Sequence, residues 1–350
     1  MRQVVIVSGV RTSIGSLGGV MSTRRVTKFG SMVIREAIGR ANIRTKDVDE
    51  VCMENLLGTA SGENLEPDVR AAVGLGKTTM VSTCNTASGC SLMLAALAVA
   101  SGEADVVVAG GMENPSLIGS PGYWALEAYG ELASLVAQRY NVSAEDSHQF
   151  AADSCIRASK AISQGKFDGE VVPVEVPRAG DGHTFFCTDE IATKSNTQFG
   201  RADVSTIAVG AAALVFMSAE KAKMLKVEPM AEVIAWGTAE RRPDYAVMAP
   251  CWAIPNVLNQ ADLQQADIDL YEIDEVFSAS TVAITRKLSI DPLRTNVRGG
   301  SLALGYPWGA SAARMLTTLL YTMKDLNGKT GMLSMCMGGR DALSLIVKRY

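Results

Sequence analysis

The run Met80-Val-Ser-Thr-Cys84-Asn-Thr-Ala-Ser-Gly89-Cys90, continued by Ser91-Leu-Met-Leu-Ala-Ala-Leu-Ala-Val-Ala-Ser-Gly102 and Asp105-Val-Val-Val-Ala-Gly-Gly-Met112, decides the fold. A short β-prone segment ends in a cysteine, small residues make a turn, an apolar helix runs to Gly102, and a strand follows. No charged residue stands between Cys90 and Ser101, which predicts a helix buried all round. A thiol at the mouth of such a helix faces unpaired backbone N–H groups and the positive end of the dipole, which together favour thiolate over thiol. The plain alternative is that Cys84 and Cys90 are small buried hydrophobes.

The same alternation of strand and helix extends on both sides. Residues 4–8 and 47–55 read as strands, residues 28–41 and 67–75 as helices, which predicts an α/β fold with a largely parallel sheet between helices. Residues 114 to about 200 behave differently. Two helical stretches, 123–140 and 144–164 (the second with Ser143 as N-cap and Asp146 at N3), precede a polar stretch without periodicity, and read as an insertion over the core. From residue 206 the core pattern resumes. Ala41-Asn-Ile43 and Asp47-Val-Asp49 are echoed by Ala261-Asp-Leu263 and Asp267-Ile-Asp269, in both cases 220 residues later (41 to 261, 47 to 267). Duplication of a βα unit is the simplest account. Equivalent strand ends of two such halves meet at one cleft, where α/β folds place ligands.

Composition excludes several classes. With 350 residues, 47% of them hydrophobic and 20% charged, the chain is globular and not disordered. A net charge of −4 with scattered basic residues speaks against nucleic acid as a partner. The seven cysteines (52, 84, 90, 155, 187, 251, 336) are odd in number and show no CxxC spacing, so neither a disulfide framework nor a metal site is expected. No apolar run reaches the length of a membrane span and the N-terminus reads as a strand, so a cytoplasmic protein is expected. Only His148 and His183 could act as imidazole bases.

Four stretches stand together: the Cys84 turn, Tyr271-Glu-Ile-Asp-Glu-Val-Phe277, Asn296-Val-Arg-Gly-Gly-Ser-Leu-Ala-Leu-Gly-Tyr-Pro-Trp-Gly-Ala-Ser311, and Met335-Cys-Met-Gly-Gly-Arg340. With VVIVSGVRTSIGSLGG, SGEADVVVAGGMEN, GKFDGEVVPVEVP and GAAALVFMSAEKA in the same order, the chain resembles the thiolases from end to end. The resemblance implies two similar βαβαβαββ halves in five layers, α-β-α-β-α, with an inserted loop domain. The expected boundaries are 1–113 with 200–218 for the first half, 114–199 for the loop domain that covers coenzyme A, and 219–350 for the second half. It also implies acyl transfer through a cysteine thioester, with cleavage of a 3-oxoacyl-CoA by CoA or the reverse Claisen condensation. Coenzyme A then enters as substrate, and no permanently bound cofactor is expected.

Carried over position by position, Cys84 would hold the acyl group and Cys336 would move a proton at the α-carbon. The backbone N–H groups of Cys84 and Gly338 would form the oxyanion hole, and Ser205 would lie near the pantetheine chain. The sequence departs from the family in four places. Tyr306 stands in Gly-Tyr-Pro where the family has histidine, and Asp274 stands where it has asparagine. The nucleophile turn does not align cleanly: matching Ala-Ser-Gly would put Thr86 at the nucleophile position, and Cys90 is a further alternative. The loop domain is short around 190–203. A tyrosine cannot serve as general base near neutral pH but can donate a hydrogen bond, and Asp274 helps a developing oxyanion only if protonated or partnered. Trp124, Trp252 and Trp308 suggest a bulky or aromatic acyl pocket, or ordinary packing. The resemblance implies at least a homodimer or tetramer, and the short loop domain makes a small zinc-ribbon/OB-fold accessory subunit conceivable. The other reading is a catalytically silent subunit of the same fold that binds acyl-CoA or supports a partner.

Overall fold

Short apolar runs between glycine-rich turns become strands, and the amphipathic stretches between them become helices. The computed structural model describes residues 1–350 apart from 59–63, 85–87, 119–122, 179–181, 195–202 and 339. Thr86, the side chain of Trp124 and most of the short 190–203 stretch therefore lie outside the described residues.

The first part comprises β1 (Val4–Thr12), β2 (Gly15–Ser16), α1 (Val26–Arg40), β3 (Glu50–Glu54), α2 (Leu65–Val73), β4 (Met80–Cys84), α3 (Cys90–Ser101) and β5 (Val106–Glu113). Next come α4 (Tyr123–Arg139), α5 (Ala144–Ser163), β6 (Val171–Val172), β7 (Val174–Arg178), β8 (Gly182–Phe186) and α6 (Glu190–Lys194). Ser143 and Asp146 make the expected capping box at the start of α5. The chain then continues through β9 (Ala208–Ser218), α7 (Ala219–Leu225), β10 (Ala231–Glu240), α8 (Pro250–Ala261) and β11 (Leu270–Ile273). It ends with α9 (Ser278–Leu288), α10 (Ser301–Leu304), α11 (Ser311–Asp325), β12 (Thr330–Cys336) and β13 (Asp341–Lys348).

The main sheet has the order β11-β12-β13-β10-β1-β9-β5-β3-β4. The expectation of a largely parallel sheet is corrected: the sheet is mixed. β3 is parallel to β4 and β5, and β11 to β12, but β9 enters antiparallel between β1 and β5, and β13 antiparallel between β10 and β12. Each half thus closes with a strand that runs back between two others. The halves join where β1 pairs with β10, Val4 to Val233 and Ile6 to Ala231.

Strict alternation along the strands builds the layers. Val106 and Val108 face a core with α1 and α2, whereas Val107 and Ala109 face a second core shared with α3 and α11. In the other half, Leu333 and Met335 face that same shared core, and Met332 faces a third with residues of α8 and α9. The arrangement is α-β-α-β-α. The duplication is visible atom by atom. Oδ2 of Asp49 accepts the N–H groups of Asp105 and Val106 (2.8 and 2.9 Å), and Oδ2 of Asp269 accepts those of Lys329 and Thr330 (2.7 and 3.0 Å). Each aspartate staples the start of one strand to its neighbour.

One expectation fails. Helix α3 is not buried all round: Leu94 and Leu97 are 38% and 50% exposed, and Met80 at the start of the edge strand β4 is 61% exposed. The helix lies at the margin of the central layer, so only its Leu92, Ala95, Ala96, Val99 and Ala100 face reaches the core.

Candidate active site

The ends of β11 and β12, with the segment before α11, bring three of the expected residues together. Asp274 follows β11 directly, and its backbone N–H donates to the Ser334 carbonyl on β12 (2.9 Å). Tyr306 is anchored by its own N–H to the Thr206 carbonyl (2.9 Å), and its hydroxyl donates to Asp274 Oδ2 at 3.1 Å. Both side chains are buried. Burial pushes the Asp274 carboxyl up to about 7, while the Tyr306 hydroxyl, Arg314 and the Cys336 backbone N–H pull the other way. Its pKa so high, Asp274 can donate a hydrogen bond in weakly acidic solution.

Cys336 ends β12, with its Sγ 3.8 and 3.7 Å from the carbonyls of Ala246 and Val247. Burial, with Asp274 and Cys251 adding to it, holds this thiol well above its ordinary value. Gly338 takes φ +78, a backbone conformation that side chains rarely adopt. Ser205 is buried and its hydroxyl donates to the Glu275 carbonyl, so it braces the loop that carries Asp274.

Cys84 sits elsewhere, and the physical picture drawn for it from the sequence is corrected. It is the last residue of β4, while α3 begins at Cys90 with Gly89 (φ +101) as its N-cap. The group at the mouth of the helix is the Glu54 carboxyl, whose Oε1 accepts the Ser91 N–H at 2.5 Å. Cys84 lies instead in a cluster of thiols, its Sγ 3.7 Å from that of Cys52 and hydrogen-bonded to Cys90. The hydrogen bond with Cys52 is the main reason that the Cys84 pKa goes up to about 11 rather than down. The Cys90 thiol is raised further, by Cys84 and burial, and Cys52 is lowered. The Cys84 carbonyl accepts from Asn55 N–H (3.0 Å), and in a parallel ladder both backbone groups of a residue face one neighbour. The Cys84 N–H is therefore turned toward β3.

The turn after Cys84 nevertheless meets the Tyr306 segment. Ser88 Oγ accepts the Ala312 N–H at 2.7 Å, and Glu113 Oε2 accepts those of Leu56 (2.9 Å) and Gly309 (3.1 Å). A Cβ on Gly111 would collide with the Gly309 carbonyl, so glycine is what lets the two backbones touch. Gly299 (φ +78) and Gly300 lie in a turn packed on Ser154 and Glu275.

The remaining candidates are the two histidines and the tryptophans. His148 and His183 are both exposed, near Asp203 (3.4 Å) and Glu175 (3.7 Å). Trp252 lies under the guanidinium of Arg241 (4.4 Å) and edge-on to Tyr245, and Trp308 packs against the central core. Sequence reasoning missed Glu54, Glu113, Glu272 and Arg314, all buried. Glu54 and Glu113 end apolar strands, Glu272 stands inside one and Arg314 inside a helix, and that misplacement was the signal available.

Comparison with known proteins now bears on this geometry. The thiolase N-terminal domain model matches residues 4–120 and 123–220, and the thiolase C-terminal domain model residues 227–349. The chain belongs to the thiolase family. It is 36% identical to an acetyl-CoA acetyltransferase of Cupriavidus necator, with 100% of both chains covered, and 35% identical to one of Schizosaccharomyces pombe, with 99% of both covered. Among solved structures, the Bacillus anthracis acetyl-CoA acetyltransferase superposes with a TM-score of 0.91 at 28% identity, covering 100% of this chain and 99% of that one. Human mitochondrial 3-ketoacyl-CoA thiolase shares the fold, with a TM-score of 0.90 at 24% identity, covering 100% of this chain and 99% of that one. The chain is thus a thiolase-type acyl-CoA acyltransferase. Among the described residues, no helix is long and apolar enough to cross a membrane.

Proposed function

We infer that the protein transfers acyl groups between CoA thioesters, with Cys84 as acyl carrier and with the carbon–carbon step at Asp274, Tyr306 and Cys336. The observation that carries this reading is the hydrogen bond from Tyr306 to a buried Asp274 raised to about 7, next to Cys336. Protonated Asp274 supplies the donor that an enolate oxygen needs. Cys336, held as a thiol, is suited to give its proton to the enolate carbon in the cleavage direction. Residues 114–199 would cover the pantetheine arm. Trp308 and Trp252 would bound the acyl pocket and admit a bulky or aromatic group.

Self-association through β4 and α3 follows from the apolar surface of Met80, Leu94 and Leu97, which water does not favour. None of the seven cysteines forms a disulfide, which fits a reducing compartment. The test is to mix the protein with a series of 3-oxoacyl-CoA thioesters and CoA, follow acyl-CoA formation, and locate the covalent acyl group by mass spectrometry. Turnover with an adduct on Cys84, lost in Cys84→Ser, is the expected result. Binding without any adduct or turnover would favour a silent acyl-CoA-binding subunit.

A further inference from the structure

The thiol cluster lacks a base, and the fold places one beside it. In the β3–β4 ladder Glu54 is the direct partner of Cys84, and Cys52 is the partner of Ser82. Opposed residues in such a ladder stand about 5 Å apart on one face. Cys52, Glu54 and Cys84 therefore share the face of the sheet on which α3 packs, where Cys90 and Ser91 open the helix. Glu54 is fully buried. Its Oε1 is fixed by the Ser91 N–H, and its Oε2 has no hydrogen-bond partner among the described residues. A buried carboxylate oxygen left without a donor is costly unless a proton comes and goes there. The titratable groups facing it are Cys52 on its own strand, Cys84 on β4 and Cys90 on α3; β5 presents Gly111 opposite it.

We propose that Glu54 is the general base for Cys84, taking the place of the absent histidine in forming the acyl-enzyme. This rests on the acyl-transfer reading above. Cys84 Sγ attacks the thioester carbonyl carbon and its proton passes to Glu54 Oε2. The bond from carbon to the CoA sulfur then breaks, and the departing CoA thiolate takes the proton from Glu54. Acyl-Cys84, CoA thiol and the Glu54 carboxylate remain. Burial raises the Glu54 pKa to about 8, so the base form fills as pH climbs past that value, and acylation rises with it.

The experiment compares wild type and Glu54→Gln across pH 6.5–9.5 in two reactions. One is acylation of Cys84 by acetyl-CoA, and the other is alkylation of Cys84 by iodoacetamide, both read by mass spectrometry. Glutamine keeps the acceptor for Ser91 but cannot take a proton. We expect acylation to fall about 100-fold and to lose its rise near pH 8, whereas alkylation, with a negative charge removed beside the thiol, is no slower. An unchanged acylation profile overturns the proposal. So does a parallel loss of both reactions, which marks a structural role, or an acyl adduct on Cys90. Should Glu54→Gln not fold, Glu54→Asp is read instead: a slower acylation that keeps its rise supports the base, and a flat profile refutes it. A wild-type protein that is acylated nowhere refutes the acyl-transfer reading itself, a result distinct from all of these.

Discussion

The Tyr306 hydroxyl donates to Oδ2 of Asp274 across 3.1 Å, so the two residues singled out in the sequence as departures from the thiolase pattern form one unit. Tyr306 holds the ionised form of Asp274, and burial opposes it.

The sign of the resulting pH dependence follows. If protonated Asp274 is the donor, the carbon–carbon step is present below about pH 7 and fades above it. Tyr306→Phe removes a group that lowers the Asp274 pKa, so the fall moves to higher pH. Asp274→Asn is a donor at every pH, so the fall near neutrality vanishes. Exchange of the α-protons of acetyl-CoA for deuterium, followed by NMR over pH 5.5–9, checks both outcomes.

Cys52 keeps the Cys84 proton in place through the 3.7 Å thiol contact. Cys52→Ala deletes that contact, and the Cys84 pKa should drop from about 11. A drop of one unit gives about tenfold more thiolate, hence about tenfold faster alkylation of Cys84 by iodoacetamide at pH 8. Peptide mapping of the alkylated protein over time measures it.

Arg11, wholly buried on β1, binds Asp189 through two hydrogen bonds of 2.7 and 2.9 Å and Glu170 through a third of 2.6 Å. Asp189→Ala leaves a buried guanidinium short of one partner and frees the Ile14 N–H. A loss of about 3–5 kcal/mol in urea-unfolding stability is expected. Replacement of the exposed Glu103 is the control, and its effect should stay within about 0.5 kcal/mol.

Leu97 is half exposed on α3, and Leu94 on the same helix and Met80 at the start of β4 are exposed too. Leu97→Glu should shift the protein toward monomer in size-exclusion chromatography with light scattering, leaving its melting profile close to that of the isolated chain. An unaltered molar mass would move the subunit contact elsewhere.

Much of the architecture was legible because burial writes itself into periodicity. The Asp47-Val-Asp49 and Asp267-Ile-Asp269 echo predicted two like halves, and Asp49 and Asp269 make the same pair of backbone bonds in each. The sheet's mixed direction was not legible, because an apolar strand reads the same whichever way it runs. Tyr306, Asp274 and Cys336, singled out by position in the sequence, come together at the ends of β11 and β12. The electrostatics of Cys84 were misjudged because proximity to a helix in sequence does not put a side chain on its axis. Five residues separate Cys84 from Cys90, and Glu54, which comes from another strand, fills the helix mouth. A partner of that kind is set by strand register, which a single sequence does not print.

The seam between the halves also bears on how substrate gets in. Val4, Val5 and Ile6 are laced to Val233, Glu232 and Ala231 by a backbone ladder buried in the middle of the molecule. Opening the cleft like a jaw would tear that lacing, so the two walls are expected to stay at fixed separation through the catalytic cycle. Long, thin molecules must then thread in past surface loops, and the pace of turnover would be set by how those loops part rather than by any swing of the halves.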